Sequence, residues 1–156
     1  MGLRIGQAGD EPLLRDLRIA ALTDAPAAFG STLQREHART SEDWRRWFSP
    51  GVTLLWLDEA DAGGGLVAAV VDTARRSAEL ASMWVRPDLR GQEVGDALTQ
   101  ALVTWTQERG LSLRLHVVED NAPAVGLYVR HGFSATGEVH VRPDGVREIE
   151  MAHIAG

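Results

Sequence analysis

The chain has 156 residues, 44% of them apolar and 24% charged, which suits one domain with a buried core and leaves no room for several. Its formal net charge of −6 weighs against a general nucleic-acid binder. It contains no cysteine, so disulfides, thiolate metal sites and a cysteine nucleophile are excluded.

Residues 3–7 read as a short strand. Asp10 or Glu11 can cap a helix that starts on Pro12, a favoured first position, and buries Leu13, Leu14 and Leu17 until Asp24-Ala25-Pro26 breaks it. Phe29-Gly30-Ser31-Thr32 is a loop or irregular turn. A second helix begins at Thr40 or Ser41, with Asp43 placed as in a capping box, and turns Trp44, Trp47 and Phe48 to one side; Pro50-Gly51 ends it. Residues 52–57 and 66–72 are apolar runs of strand length, joined by an acidic, glycine-rich hairpin loop over 58–65.

The stretch 77–109 organises the rest. SAELASMWV has strand length and lies between the turn signals Arg75-Arg76 and Pro87-Asp88. After a short loop, Val94, Leu98, Ala101, Leu102 and Trp105 recur at three- and four-residue steps, a helix that stops where Gly110 can turn left-handed. The loop offers backbone N–H groups from Gly91 to Asp96 at the positive end of that helix, and an anion is their natural partner. The alternative is a helix start capped by water and by Asp88 or Asp96. A strand over 111–118 and a helix over 122–131 follow, then strands near 134–141 and 146–153 flank the turn Arg142-Pro143-Asp144-Gly145. The resulting order is β-α-α-β-β-β-α-β-α-β-β, with no internal repeat or low-complexity segment.

Arg90-Gly91-Gln92-Glu93-Val94-Gly95 resembles the acetyl-CoA pyrophosphate loop of the GNAT N-acetyltransferase superfamily, whose usual pattern is Q/R-x-x-G-x-G/A. Arg90 and Gly95 match, and Glu93 stands where the first glycine normally sits. A second block, from Asn121-Ala122-Pro123-Ala124 through Leu127-Tyr128 to Gly132-Phe133, is similar to the family's N-x-x-A-x-x-L-Y-x-x-x-G-F block. The resemblance spans roughly residues 77–133. It implies one α/β (α+β) domain over 1–156, with a mixed, mostly antiparallel sheet of about seven strands and about four helices on both faces.

It also implies acetyl-CoA as co-substrate and no metal. Gly91, Gln92, Glu93, Val94, Gly95 and Asp96 would hold the diphosphate, with a charge-assisted bond from Arg90. Glu93 adds repulsion of roughly 1 kcal/mol at ~4 Å in water, so weakened rather than abolished binding is expected. Met83, Trp84 and Val85 would offer main-chain groups to the pantetheine arm and acetyl oxygen, whether or not their side chains are core. Glu79, taken as alternating with Met83 and Val85, lines up with the strand glutamate that serves as base in histone-acetylating members; a solvated glutamate opposite an arginine is the bland alternative, and His116 is the rival base. Tyr128, the only tyrosine, falls where the family's general acid protonates the thiolate, or else is a core aromatic. Asn121 caps its helix, touches the cofactor arm, or does both.

The resemblance further implies an acceptor site built from Phe29, Gly30 and Ser31, the Trp44–Phe48 helix, Glu79 and the closing hairpin around His140 to Val146. Glu36 and Glu79 would suit a cationic amine, while Trp44 and Trp47 line either a pocket or the core. Two readings stand: an N-acetyltransferase acting on a small-molecule or protein amine, and a non-catalytic acyl-CoA-binding regulator. No nucleic-acid or membrane partner is expected, because no apolar run has the length of a membrane span and the first dozen residues lack a secretion signal's apolar core. With the lack of cysteine, this makes a cytoplasmic, bacterial-type protein the economical reading, and a basic complement made wholly of arginine, with abundant alanine, hints at a GC-rich genome. A homodimer is left open.

Overall fold

The computed structural model describes residues 2–26, 32–47 and 50–153. Strands β1 (Gly2–Ile5), β2 (Gly51–Leu57), β3 (Gly63–Asp72), β4 (Ser77–Val85), β5 (Ser112–Val118), β6 (Phe133–Val141) and β7 (Arg147–His153) form one sheet in the order β1-β2-β3-β4-β5-β7-β6. Every pairing is antiparallel except β4 with β5. Helices α1 (Glu11–Asp24), α2 (Leu33–His37), α3 (Ser41–Arg46), α4 (Val94–Glu108) and α5 (Ala122–Arg130) complete the described elements. Among the described residues no helix is long and apolar enough to cross a membrane.

The sheet is covered on both faces, which is why β2 and β3 read as unbroken apolar runs. Leu54, Val67 and Ala69 join the cluster under α4 and α5, where Val94, Leu98, Leu102 and Val103 form the buried stripe of α4. Their neighbours Leu55 and Leu66 face the other way, onto Leu14, Leu17 and Ala21 of α1 and Trp44 of α3. Each fully buried leucine contributes about 1.5–3 kcal/mol of transfer free energy.

Several local details depart from the sequence expectation. β3 begins at Gly63, so the glycines thought to form a hairpin loop are strand residues. A Cβ on Gly64 would lie 2.4 Å from Leu89 Cδ1, and one on Gly65 would lie 2.9 Å from the Trp84 carbonyl oxygen. The backbone oxygen cannot give way, so glycine is a packing requirement at Gly65, whereas at Gly64 the Leu89 side chain would have to move. Asp10 stands at the N-cap of α1 but caps nothing: its carboxylate accepts from Arg4 at 2.6 Å and from the Gln7 amide at 3.0 Å. The capping box forms as expected, with Asp43 N–H donating to Thr40 Oγ1 at 3.1 Å and Thr40 N–H to Asp43 Oδ2 at 2.9 Å. Helix α2 was not anticipated, because five residues capped by Thr32 are too short to show a period.

Candidate active site

The first feature that could bind a ligand is a parting of strands. β4 and β5 pair only from Ser77↔Ser112 to Leu80↔Leu115. Beyond that rung β4 stays on β3 as far as Val85, while β5 stays on β7 as far as Val118, so the two diverge. A bulge lies at the parting: Ala69 faces Leu80 and Ala68 faces Ser82, leaving Ala81 as the extra residue. Bulges bend a strand and reverse which face its side chains take. Ala78 and Leu80 accordingly point into the cluster under α4, but after the bulge it is Met83 and Val85 that pack there, while Trp84 joins the α1 cluster. Glu79 therefore does not share a face with Met83 and Val85, as alternation alone had implied. It lies with Val70, its cross-strand partner, on the α1 side.

The loop after β4 is built on arginine. Arg86 bonds Asp88 at 2.6 and 3.0 Å, Asp58 at 2.9 Å and the Gly63 carbonyl at 3.1 Å, which pins the single turn Pro87–Leu89 to the β2–β3 hairpin. Gln92 donates to the Asp88 carbonyl at 3.1 Å. Glu93 occupies the N-cap of α4 in the left-handed region, with φ 67° and ψ 13°. That explains why the family pattern favours glycine at this position: the backbone needs positive φ, which a side chain adopts only at a cost of about 1–2 kcal/mol.

No side chain caps α4. Asp88 is engaged by Arg86, and Asp96 accepts from His131 at 2.8 Å and from Arg130 at 3.1 Å, so neither carboxylate fills the loop. Burial of Asp96 opposes its ionisation, but the bonds from His131 and Arg130 more than offset this and hold its carboxyl below the usual range. Gly95 faces the divergence: a methyl group there would lie 3.5 Å from Leu127 Cδ2, 3.6 Å from Met83 Cε and 3.7 Å from Val85 Cγ2. The uncapped helix start, the glycine and the free side of β4 thus come together and fit an extended ligand ending in a diphosphate.

Arg90 is the exception among the expected loop residues. Its guanidinium reaches back to Asp24, at the end of α1, and its Nε donates to the Val85 carbonyl at 3.0 Å. An Asp24 oxygen also accepts from the Trp84 indole at 3.0 Å, and these two donors, the indole first, hold the Asp24 carboxyl below its ordinary value. Nothing in the sequence singled out Asp24 except its place before a helix break.

On the α1 face, beside the last β4–β5 rung, His116 Nδ1 lies 2.8 Å from Glu79 Oε1. The two rival bases are one hydrogen-bonded pair. Glu79 is more exposed than a partly buried carboxylate, at 56%. His116 Nε2 stands 3.8 Å from Glu150 Oε2, and Glu150, nearly buried, accepts from Arg114 and Thr136 at 2.9 Å each. Sequence reasoning missed Glu150; its signal was a carboxylate between two apolar residues, Ile149 and Met151, that pack on the core. Two cavities meet here. One of about 470 Å³ is lined by His116, Glu138, Val139, His140 and Glu148, and one of about 250 Å³ includes Glu79, Arg114, His116 and Glu150.

Tyr128 lies 5% exposed in the α4-side cluster, edge-on to Phe133 with ring centroids 5.6 Å apart. Burial pushes its phenol well above the ordinary tyrosine value. Asn121 caps α5, accepting from the Ala124 amide at 3.3 Å. Phe29, Gly30 and Ser31, expected to flank the acceptor, lie outside the described residues, as does Phe48. Trp44 is core, 2% exposed. Glu36 is corrected too: it is fully buried, bonded to Arg18 at 3.1 Å and Arg39 at 2.6 Å, and is not placed to meet a cationic amine. Among the described residues no group of three or more His, Asp or Glu could hold a metal ion.

Comparison with known proteins bears on the family and the fold. Mycothiol acetyltransferases of Arthrobacter sp. (strain FB24) and Stackebrandtia nassauensis are 33% and 34% identical over 74% and 80% of this chain, covering 36% and 41% of their own lengths. The chain thus spans about two fifths of the length of these mycothiol acetyltransferases. A putative acetyltransferase from Salmonella typhimurium, solved with its cofactor acetyl-CoA, superposes with a TM-score of 0.78 at 18% identity, over 100% of this chain and 97% of its own. At that identity the likeness is one of fold. The profile of the Acetyltransferase (GNAT) family matches residues 17–133, and the chain belongs to that family.

Proposed function

We propose that this chain transfers the acetyl group of acetyl-CoA to a primary amine by direct attack while both substrates are bound. The observation that carries the reading is the divergence of β4 and β5 beside an uncapped helix start, with Gly95 closing against Met83, Val85 and Leu127. Amides at the start of α4 favour the diphosphate by about 0.3–1 kcal/mol per favourable contact. The unpaired side of β4 gives the pantetheine arm a strand edge to follow, and a main-chain N–H there can polarise the thioester carbonyl. Arg90 must leave Asp24 and Val85 before it can add a charge-assisted bond to the diphosphate.

The amine arrives as an ammonium ion, and the Glu79–His116 pair is the proton-accepting centre nearest the parting. Once neutral, its nitrogen bonds to the carbonyl carbon, and the carbon–sulfur bond breaks with its electron pair on sulfur. Tyr128 gives the sulfur its proton, and the proton the nitrogen sheds restores the phenol. Burial keeps that phenol protonated, so a donor is always present, although transfer is downhill only to a more basic sulfur. The mycothiol acetyltransferases support acetyl transfer and leave the acceptor open.

The test combines titration calorimetry with acetyl-CoA and a thiol-release assay against polyamines, amino acids, aminoglycosides and peptides. Binding together with acceptor-dependent release is expected. Binding with release only in the absence of any acceptor would replace this reading with a non-catalytic acyl-CoA-binding role.

A further inference from the structure

We infer that His116 is the atom-level proton acceptor for the amine, and that Glu79 is a positioning residue that holds its ring. This rests on the acetyltransferase reading above and refines it. Glu79 and His116 flank the Leu80↔Leu115 rung, the last before the strands part, and both lie on the α1 face. A carboxylate 2.8 Å from Nδ1 accepts the Nδ1–H, which fixes the neutral ring in one tautomer and leaves the lone pair on Nε2. The nearest carboxylate to Nε2, on Glu150, stands at 3.8 Å, too long for a hydrogen bond. A proton taken up at Nε2 would therefore be stabilised by Glu150 without being blocked by it beforehand.

The cavities add a second argument. His116 is the one residue common to the two linings, whereas Glu79 belongs only to the smaller. An acceptor entering the larger cavity meets the imidazole and not the Glu79 carboxylate. The charged groups around the ring are Glu79 on β4, Arg114 on its own strand, Glu148 and Glu150 on β7, and Glu138 and His140 on β6. The Asp72–Arg75 pair lies in the smaller cavity as well. Arg114 is bonded to Glu150, so the cationic imidazolium forms in surroundings richer in carboxylates than in cations. In the step itself R–NH3+ gives one proton to Nε2, yielding R–NH2 and an imidazolium held between Glu79 and Glu150. No other reactant is consumed.

The experiment uses the full chain labelled with 15N-histidine, read by long-range 15N–1H correlation, alongside kinetics with 1,3-diaminopropane as a minimal acceptor. The neutral His116 ring is expected as the Nδ1–H tautomer in the wild type and in Glu79→Gln, whose amide oxygen can still accept, but not in Glu79→Ala. In turnover, His116→Gln is expected to lower kcat/KM by about 100-fold and abolish the acid limb of its pH profile, whereas Glu79→Gln keeps the limb and loses less than about tenfold. Free imidazole should restore part of the activity of His116→Ala. An Nε2–H tautomer in the wild type, or an acid limb that survives in His116→Gln and vanishes in Glu79→Gln, overturns the inference. Acetyl-CoA affinity should be unchanged in every variant; a wild type that binds none refutes the underlying acetyltransferase reading instead.

Discussion

Glu93 combines two separable effects, and two substitutions divide them. Its backbone sits at φ 67° and its exposed carboxylate stands at the turn into α4, the proposed diphosphate site. With roughly 6 Å between that carboxylate and the diphosphate, each of two phosphate charges is repelled by about 0.7 kcal/mol in water; screening at about 0.1 M salt roughly halves this, leaving about 0.7–0.8 kcal/mol in total. Glu93→Gln removes the charge and keeps the side chain, so acetyl-CoA should bind about three- to fourfold more tightly with no change in melting temperature. Glu93→Gly should give the same gain in affinity and also relieve the left-handed backbone. That relief is about 1–2 kcal/mol, offset by about 0.4–1 kcal/mol of extra freedom in the unfolded chain. A net gain of about 0.5–1 kcal/mol corresponds to roughly 1–4 °C in Tm. Calorimetry across a salt series and thermal melts read both quantities. A Glu93→Gln protein whose affinity does not move at low salt would refute the placement of the diphosphate. Equal melting temperatures for the two variants would refute the backbone argument.

Four further outcomes are expected. Because Tyr128 is the only tyrosine and burial raises its phenol, phenolate absorbance at 295 nm should be absent from the folded protein up to about pH 11, yet appear near pH 10 in denaturant; the stability linked to this shift is complete below the unfolded value and is lost as pH rises through the folded one. Tyr128→Phe should lower kcat by about 100-fold while leaving acetyl-CoA affinity intact, and an unchanged kcat removes the residue from proton transfer. Glu36→Gln weakens the buried bond to Arg18 and the part-buried bond to Arg39 and should cost about 3–5 kcal/mol in urea unfolding, whereas the double replacement Arg18→Met with Glu36→Leu should cost less. Asp24, Asp58 and Asp88 all have lowered carboxyls, Asp24 chiefly through the Trp84 indole, Asp58 through the Ala62 amide and Asp88 through Arg86. Their stabilisation is present above the ordinary aspartate value of about 3.9 and is lost as pH falls through the depressed ones, so the urea midpoint should decline only below about pH 4. A midpoint unchanged at pH 3 would contradict the assignment.

Short-range chemistry was the part legible in the chain itself. The Thr40–Asp43 box, the apolar stripe of α4 and the limits of β4 are set by neighbours within a few residues, and period and capping report such neighbours directly. The same holds for the donor-rich turn before α4, whose displaced glycine proved to mark a positive φ at Glu93. What the sequence could not carry was the bulge at Ala81, which depends on how β4 pairs with β3, and with it the face on which Glu79 emerges. The Glu79–His116 contact joins residues 37 positions apart, and the Arg90–Asp24 contact joins residues 66 apart. Glu36, read in the sequence as a carboxylate that would suit a cationic amine, is a buried anion because α2 packs against α1 and brings it onto Arg18, with Arg39 three residues further on as its second partner. Local backbone preference thus determined the elements and the uncapped turn before α4, while the partners of each charged side chain were decided by strand register and helix packing, which bring together atoms that no sequence window contains.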